Sequence, residues 1–101
     1  MKFGLTDSEY SFLDQHLIQP LKARKAKIFV FGSRVHTKHH RFSDINLLLM
    51  ENEHHPIDSK FISTLLIFFE ESQFPYKIDL VNNKNLAKSY RQNVEASMVE
   101  I

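Results

Sequence analysis

Two short stretches of this sequence decide its fold: residues 28–34 read IFVFGSR, and residues 43–49 read SDINLLL. The first is an apolar run, rich in β-branched and aromatic residues, that ends at a glycine, which is typical of a buried strand leading into a tight turn. The second starts with a hydroxyl and a carboxylate and predicts another buried strand over Ile45 to Met50. The polar residues 33–43 between the strands are predicted to form a loop, or a short helix followed by a loop.

Helical patterns flank these two strands. Thr6-Asp7-Ser8-Glu9 has the form of a capping box, which predicts a helix start, and apolar residues then recur at helical spacing as far as Leu21. Pro20 interrupts this pattern and predicts a kink or an early stop near Gln19. A second helix is predicted to open at residues 56–59, to bury a wide apolar face and to end before Pro75.

A third strand and a tail helix are predicted after Pro75. Residues 76–81 alternate in polarity, which places Asp79 on the face opposite to Tyr76, Ile78 and Leu80. Residues 84–101 carry apolar side chains four positions apart, which favours one helix with a narrow apolar stripe. Since no repeat or linker-like segment is visible, we expect residues 1–101 to form a single small α/β domain.

Composition and charge limit the possible classes of function. The 101 residues are 43% hydrophobic and 25% charged, which is typical of one globular domain. The 13 basic and 12 acidic residues nearly balance, so we expect neither strong nonspecific nucleic-acid binding nor membrane binding. The absence of cysteine excludes disulfides and thiolate metal sites, and no signal peptide or transmembrane run is visible, which together favour a cytoplasmic location.

Polar residues near the ends of the predicted strands could form a phosphate and metal site. Gly32 would let the backbone approach a phosphate closely, Ser33 offers a hydroxyl and an amide, and Arg34 adds a cation beside them. Asp44 and Asp79, on two different strands, could hold Mg²⁺ through carboxylate oxygens.

In these residues the chain resembles the minimal nucleotidyltransferases of the DNA polymerase β superfamily. The resemblance rests on Phe31-Gly32-Ser33-Arg34, the spacing from Gly32 to Asp44, the run Ser43-Asp44-Ile45 and the later Asp79, and it covers roughly residues 5 to 95. It implies a small mixed β-sheet of three or more strands covered by helices. It also implies Mg²⁺-dependent transfer of a nucleoside monophosphate, AMP from ATP foremost, to a hydroxyl of a protein or nucleic-acid acceptor.

The resemblance also implies roles by position. The metal ligands would be Asp44, Asn46 and Asp79, with Asp44 and Asp79 as the catalytic pair and Asp79 as the base. The triphosphate would be bound by Gly32, Ser33, Arg34 and Ser43.

Asn46 departs from the family pattern, which has a carboxylate at this position. Asparagine supplies a carbonyl oxygen without a negative charge, so it attracts a divalent ion less strongly. A second departure is Thr37, where many relatives carry glycine. Three alternatives stay open: a slow enzyme that tolerates Asn46, an enzyme completed by another ligand, and a degenerate copy that binds without catalysing.

Partners follow from the same resemblance. Similar stand-alone chains are often paired with a small helical HEPN-domain ribonuclease toxin, which they restrain by binding or by nucleotide transfer, so an antitoxin role is implied. A homodimer with a vestigial site is a further hypothesis. We interpret His36, His39, His40 and Arg41 as an exposed polar loop, and most of the nine phenylalanines as core residues.

Overall fold

A computed structural model of the chain describes residues 3–35, 44–85, 94 and 97–101. Its elements are α1 (Asp7–Leu13), a π-helical turn (Asp14–Ile18), α2 (Gln19–Lys22), β1 (Lys27–Phe31), β2 (Ile45–Met50), α3 (Ser59–Glu71), β3 (Ile78–Asn82) and β4 (Val99–Glu100). Short 3₁₀ turns, Ser33–Val35 and Asn83–Asn85, follow β1 and β3. None of the helices in these described ranges is long and apolar enough to cross a membrane.

The N-terminal helix begins with the predicted capping box and continues past Pro20. The amide of Glu9 donates to Thr6 Oγ1 at 3.1 Å, and the amide of Thr6 donates to Glu9 Oε1 at 2.8 Å. In the π-helical turn the amide of Gln19 donates to the carbonyl of Asp14, which widens the helix just before proline, a residue without an amide hydrogen. Of the two alternatives predicted near Gln19, a kink or an early stop, the early stop is wrong, because the widened turn accommodates the proline and the helix continues to Lys22.

The strands form one four-stranded mixed sheet in the order β3-β2-β1-β4. β1 runs antiparallel to β2 and to β4, whereas β2 and β3 run parallel. The predicted fold class, a small mixed sheet covered by helices, is confirmed. The predicted tail helix is wrong for Val99 and Glu100, which pair with Val30 and Phe29 and so satisfy backbone groups along the edge of β1. Most of that predicted helix lies outside the described residues.

The two faces of the sheet are packed differently. One face lies against the helices and forms the main core, to which β2 contributes Ile45, Leu47 and Leu49. The other face carries a smaller apolar cluster in which Phe31 and Leu48 pack with Val94. Side chains alternate along a strand, so Asn46 and Asp79 lie on this second face.

Aromatic rings fill the outer side of the main core between α1 and α3. The ring of Phe12 lies 5.3 Å from that of Phe69 and 5.9 Å from that of Phe68, measured between centroids. Phe69 is buried, but Phe68 is 44% exposed. Most of the described phenylalanines are buried or pack against a core cluster, so the prediction that they are mostly core is confirmed, with Phe68 as the exposed exception.

Candidate functional site

Three strands bring the predicted site residues to one end of the second face. Phe31, the last residue of β1, pairs with Asn46, and Asn46 pairs with Asp79 on β3. Residues paired side by side on neighbouring strands point to the same face of a sheet. Gly32 follows Phe31 directly, and Asp44 lies one residue before β2. The Gly32 turn and the Asp44, Asn46 and Asp79 positions therefore meet at one end of the sheet.

Backbone hydrogen bonds fix this end of the sheet. The amide of Ile45, which lies between Asp44 and Asn46, donates to the carbonyl of Lys77 at 2.9 Å, just before β3 begins. The amide of Val35 donates to the carbonyl of Gly32 at 3.2 Å and closes the turn after β1. Hydrogen bonds therefore hold the backbone next to the predicted site residues in place.

Position 32 requires glycine for two reasons, its backbone conformation and the close side chain of Asn46. Its φ angle is 84°, in the left-handed region that favours glycine. A Cβ atom at this position would lie 2.7 Å from Nδ2 of Asn46, closer than real Cβ contacts come. The side chain of Asn46 therefore packs directly on the Gly32 turn, which places one member of the predicted metal pair beside the predicted phosphate cradle.

The two carboxylates of the site are exposed, while Asn46 is half-buried. Within residues 3–35, 44–85, 94 and 97–101, no side chain forms an ion pair with Asp44 or Asp79, and no group of three or more acidic, histidine or cysteine residues is found. Asn46 lies on β2, two residues after Asp44, and pairs with Asp79 on β3. The arrangement leaves two negative charges and one amide oxygen available to a hard cation.

Arg34 lies in the interior and not on the surface of the site. Its side chain is 2% exposed, and its Nη1 donates to the carbonyl of Phe3 at 2.9 Å. The guanidinium carbon lies 4.3 Å from the centre of the Tyr76 ring. The sequence predicted a triphosphate contact for Arg34 and gave no sign of Phe3 or Tyr76 as its neighbours, because both are distant along the chain.

Some predicted site residues cannot be located in the described part of the chain. Ser43 lies outside it, as does the histidine-rich segment with Thr37, and the side chain of Ser33 is likewise not described. Their proposed roles stay predictions.

Comparisons with known proteins identify the family of the chain. The family described as "Nucleotidyltransferase domain" matches residues 15–101. A curated relative, the "Probable protein adenylyltransferase MntA" of Haemophilus influenzae, is 30% identical over 74 residues, which are 73% of this chain and 63% of that protein. The chain thus spans less than two thirds of the length of this relative.

A solved structure shares the fold. It is a crystal structure of a mutant of the toxin-antitoxin pair MntA-HpeT, which matches with a TM-score of 0.64 at 21% identity and covers 86% of this chain and 70% of that chain. At this identity the match shows the fold alone. The family match over most of the chain shows more: this protein belongs to the nucleotidyltransferase-domain family, and the predicted resemblance to its minimal members is confirmed by the similarity to the MntA relative.

Proposed function

We propose that this chain binds a nucleoside triphosphate, ATP foremost, at the Gly32 turn and transfers its nucleoside monophosphate to a hydroxyl of a protein or nucleic-acid acceptor. One observation carries the proposal: Asn46 packs on Gly32 and pairs with Asp79. This contact supports the proposal, because it brings the Gly32 turn next to the strands that carry the two carboxylates. The curated relative is named a probable protein adenylyltransferase, which supports AMP as the transferred group.

The residues present fit a divalent ion of the Mg²⁺ type. Asp44 and Asp79 offer exposed carboxylates, and Asn46, which pairs with Asp79, offers an amide oxygen. Bound by these groups, the ion would stabilise negative charge on the phosphoryl oxygens. Asn46 leaves the ligand set one negative charge short of three carboxylates, so we expect weak ion binding and slow turnover.

The chain's own groups account for the remaining chemistry. Asp79 is an exposed carboxylate on the second face of the sheet, so it can take the proton of the acceptor hydroxyl. That oxygen then forms a bond to the α-phosphorus while the bond to the bridging oxygen breaks and pyrophosphate leaves. Backbone amides of the turn that follows Gly32 hold the phosphates, since a left-handed glycine allows close approach.

The alternative function is binding without catalysis. It is favoured by one observation, the amide of Asn46 at the centre of the site, where a charged oxygen ligand is expected. In this case the chain would neutralise a partner by forming a complex and would use the nucleotide only as a ligand.

A nucleotide-transfer assay separates the two functions. The chain is incubated with α-labelled ATP, Mg²⁺ or Mn²⁺ and candidate acceptors, together with the variants Asn46→Asp and Asp79→Asn. We expect slow labelling by the natural chain, faster labelling by Asn46→Asp and none by Asp79→Asn. Labelling by Asn46→Asp alone would establish the binding-only alternative, and labelling by Asp79→Asn equal to that of the natural chain would contradict the proposed site.

We propose further that the chain acts as the antitoxin of a pair with a HEPN-domain toxin in the cytoplasm. The fold shared with the antitoxin-containing crystal structure supports this role. The test is whether an adjacent reading frame encodes a HEPN protein with an Arg-x-x-x-x-His motif and whether the two proteins copurify. A missing neighbour together with no complex would contradict the role, and light scattering of the chain alone would show whether it instead pairs with itself.

A further inference from the structure

We infer that Arg34 is a positioning residue of the candidate site, which joins the Gly32 turn to the N-terminal segment and to the start of β3 without contacting the triphosphate. The inference rests on the proposed function, since that function supplies the nucleotide. It differs from the role that the sequence predicted for Arg34, a cation beside the phosphates. The difference comes from where the guanidinium lies.

The contacts of Arg34 point into the protein. A side chain that is 2% exposed has almost no surface to offer a ligand. One of its nitrogens donates to Phe3 O at 2.9 Å, and the face of its guanidinium lies 4.3 Å from the centre of the Tyr76 ring, a cation–π arrangement. To bind a phosphate, the guanidinium would have to leave both partners.

These contacts connect the parts of the site through short stretches of chain. Arg34 lies two residues after Gly32, and Tyr76 lies three residues before Asp79. Lys77 is the residue after Tyr76, and its carbonyl accepts a hydrogen bond at 2.9 Å from the amide of Ile45. Ile45 in turn lies between Asp44 and Asn46 in the sequence. A shift of the guanidinium would therefore move the glycine turn relative to the carboxylates.

The N-terminal segment shows a second effect of the same side chain. Phe3 has a φ angle of 55°, which is uncommon for a residue with a side chain, and Gly4 follows with 75°. The carbonyl of Phe3 is the group that Arg34 binds. Arg34 thus fixes a turn before α1 as well as the turn after β1.

Hydrogen-deuterium exchange of the nucleotide-free chain tests the positioning role directly. In Arg34→Met, which keeps much of the apolar volume but removes the charge, we expect faster exchange at residues 32–35 and 77–79. Arg34→Lys should restore part of the protection, because it keeps a cation over Tyr76. If Arg34→Met fails to fold, Tyr76→Leu, which removes the ring and leaves the arginine, should show the same faster exchange at the same residues.

Arg24→Met is the matched control. Arg24 also lies over an aromatic ring, 3.7 Å from the centre of Phe61, but on the exposed surface away from the site. We expect exchange at residues 32–35 and 77–79 to stay as in the natural chain. Unchanged exchange at these residues in both Arg34→Met and Tyr76→Leu would overturn the inference.

Nucleotide affinity separates positioning from direct contact. At a temperature well below unfolding, we expect Arg34→Met and Tyr76→Leu each to weaken ATP binding about tenfold, and AMP binding by a similar factor, since both disturb the whole site. Arg34→Lys should recover part of the affinity. A loss confined to ATP and to the Arg34 variants would instead show a phosphate contact and overturn the inference. If the natural chain binds no ATP, the proposed function fails while the exchange result still decides the role of Arg34.

Discussion

The parallel strands β2 and β3 carry polar groups at both ends, and the carboxylates at the two ends have opposite environments. At one end they are exposed, and at the other end a carboxylate is buried and paired. The open end consists of Gly32, Asp44, Asn46 and Asp79, and both of its carboxylates are exposed. At the other end lie Glu51, Asn82 and Lys84, which we call the brace. Glu51 Oε2 lies 2.6 Å from Lys84 Nζ, and Glu51 Oε1 accepts from Asn82 Nδ2 at 3.0 Å.

The difference follows from burial. The side chain of Glu51 is 5% exposed, so its charge must be met by donors from the protein. The carboxylates of the open end are exposed to water and form no ion pair with a described side chain. We therefore expect substitutions at the two ends to affect stability and the proposed ligand binding separately.

The largest effect is expected from removing the charge of Asp79. In Asp79→Asn we expect nucleotide transfer to fall by about 10²- to 10⁴-fold, because the proposed proton acceptor is lost. The free energy of unfolding should change by less than about 0.5 kcal/mol, since the side chain is exposed. Label transfer and urea denaturation of the same preparation measure the two quantities.

Glu51→Gln is the reciprocal control for this comparison. It weakens the brace, so we expect lower stability with transfer close to that of the natural chain. Comparable losses of transfer in both variants would show that the two ends are not independent.

The next effect concerns the glycine of the open end. Gly32→Ala places a side chain at a φ angle of 84° and 2.7 Å from Nδ2 of Asn46. We expect a loss of about 1–2 kcal/mol in unfolding free energy from the backbone conformation, together with weaker ATP binding as Asn46 is displaced. Gly4→Ala is the comparison variant, because Gly4 also has a positive φ, 75°, but lies in the N-terminal turn that Arg34 contacts and not beside Asn46. It should lose similar stability but less ATP affinity than Gly32→Ala, because it does not displace Asn46.

The sequence predicts the positions of residues at the open end better than the contacts of the brace. Gly32 and Asp79 were placed correctly because a strand that ends at glycine and a strand that alternates in polarity are both local patterns. The brace joins Glu51 to residues more than 30 positions away, and no local pattern reports such a contact. The same limit applies to the burial of Arg34 and to β4, whose two residues are too few to show a period. Local patterns predict the positions of single residues, but they do not report contacts between residues that are distant in the sequence.

A smaller effect is expected from the pH dependence of the brace. Hydrogen bonding and ion pairing with Lys84 hold the pKa of Glu51 below its ordinary value, with a further contribution from Asn82 and against a raising effect of burial. A carboxylate with a lowered pKa in the folded state stabilises the fold above its unfolded pKa, and this contribution is lost as pH falls through the folded pKa. Because Lys84 is 63% exposed, solvent screens the pair, and we expect a contribution of no more than about 1 kcal/mol at neutral pH.

Unfolding free energies of the natural chain and of Glu51→Gln, measured from neutral pH to below the ordinary carboxyl range, test this expectation. The difference between them should be constant above the unfolded pKa of about 4.5 and should disappear in acid. High salt should also reduce it. A difference that persists in acid would mean that the variant acts through packing and not through charge.

The smallest effect is expected from adding a third carboxylate to the open end. Asn46→Asp places a third carboxylate beside its paired neighbour Asp79. Without metal we expect a loss of about 0.5 kcal/mol in unfolding free energy, since like charges on adjacent strands repel. Millimolar Mg²⁺ should reverse this loss and stabilise the variant beyond the natural chain, because an ion bound only by the folded state raises its stability. Asn46→Ser, which adds no charge, should gain no such stabilisation. If Asn46→Asp also gains none, carboxylates at this end do not hold a divalent ion even when the expected charge is restored, and the open end is a binding surface and not a metal centre.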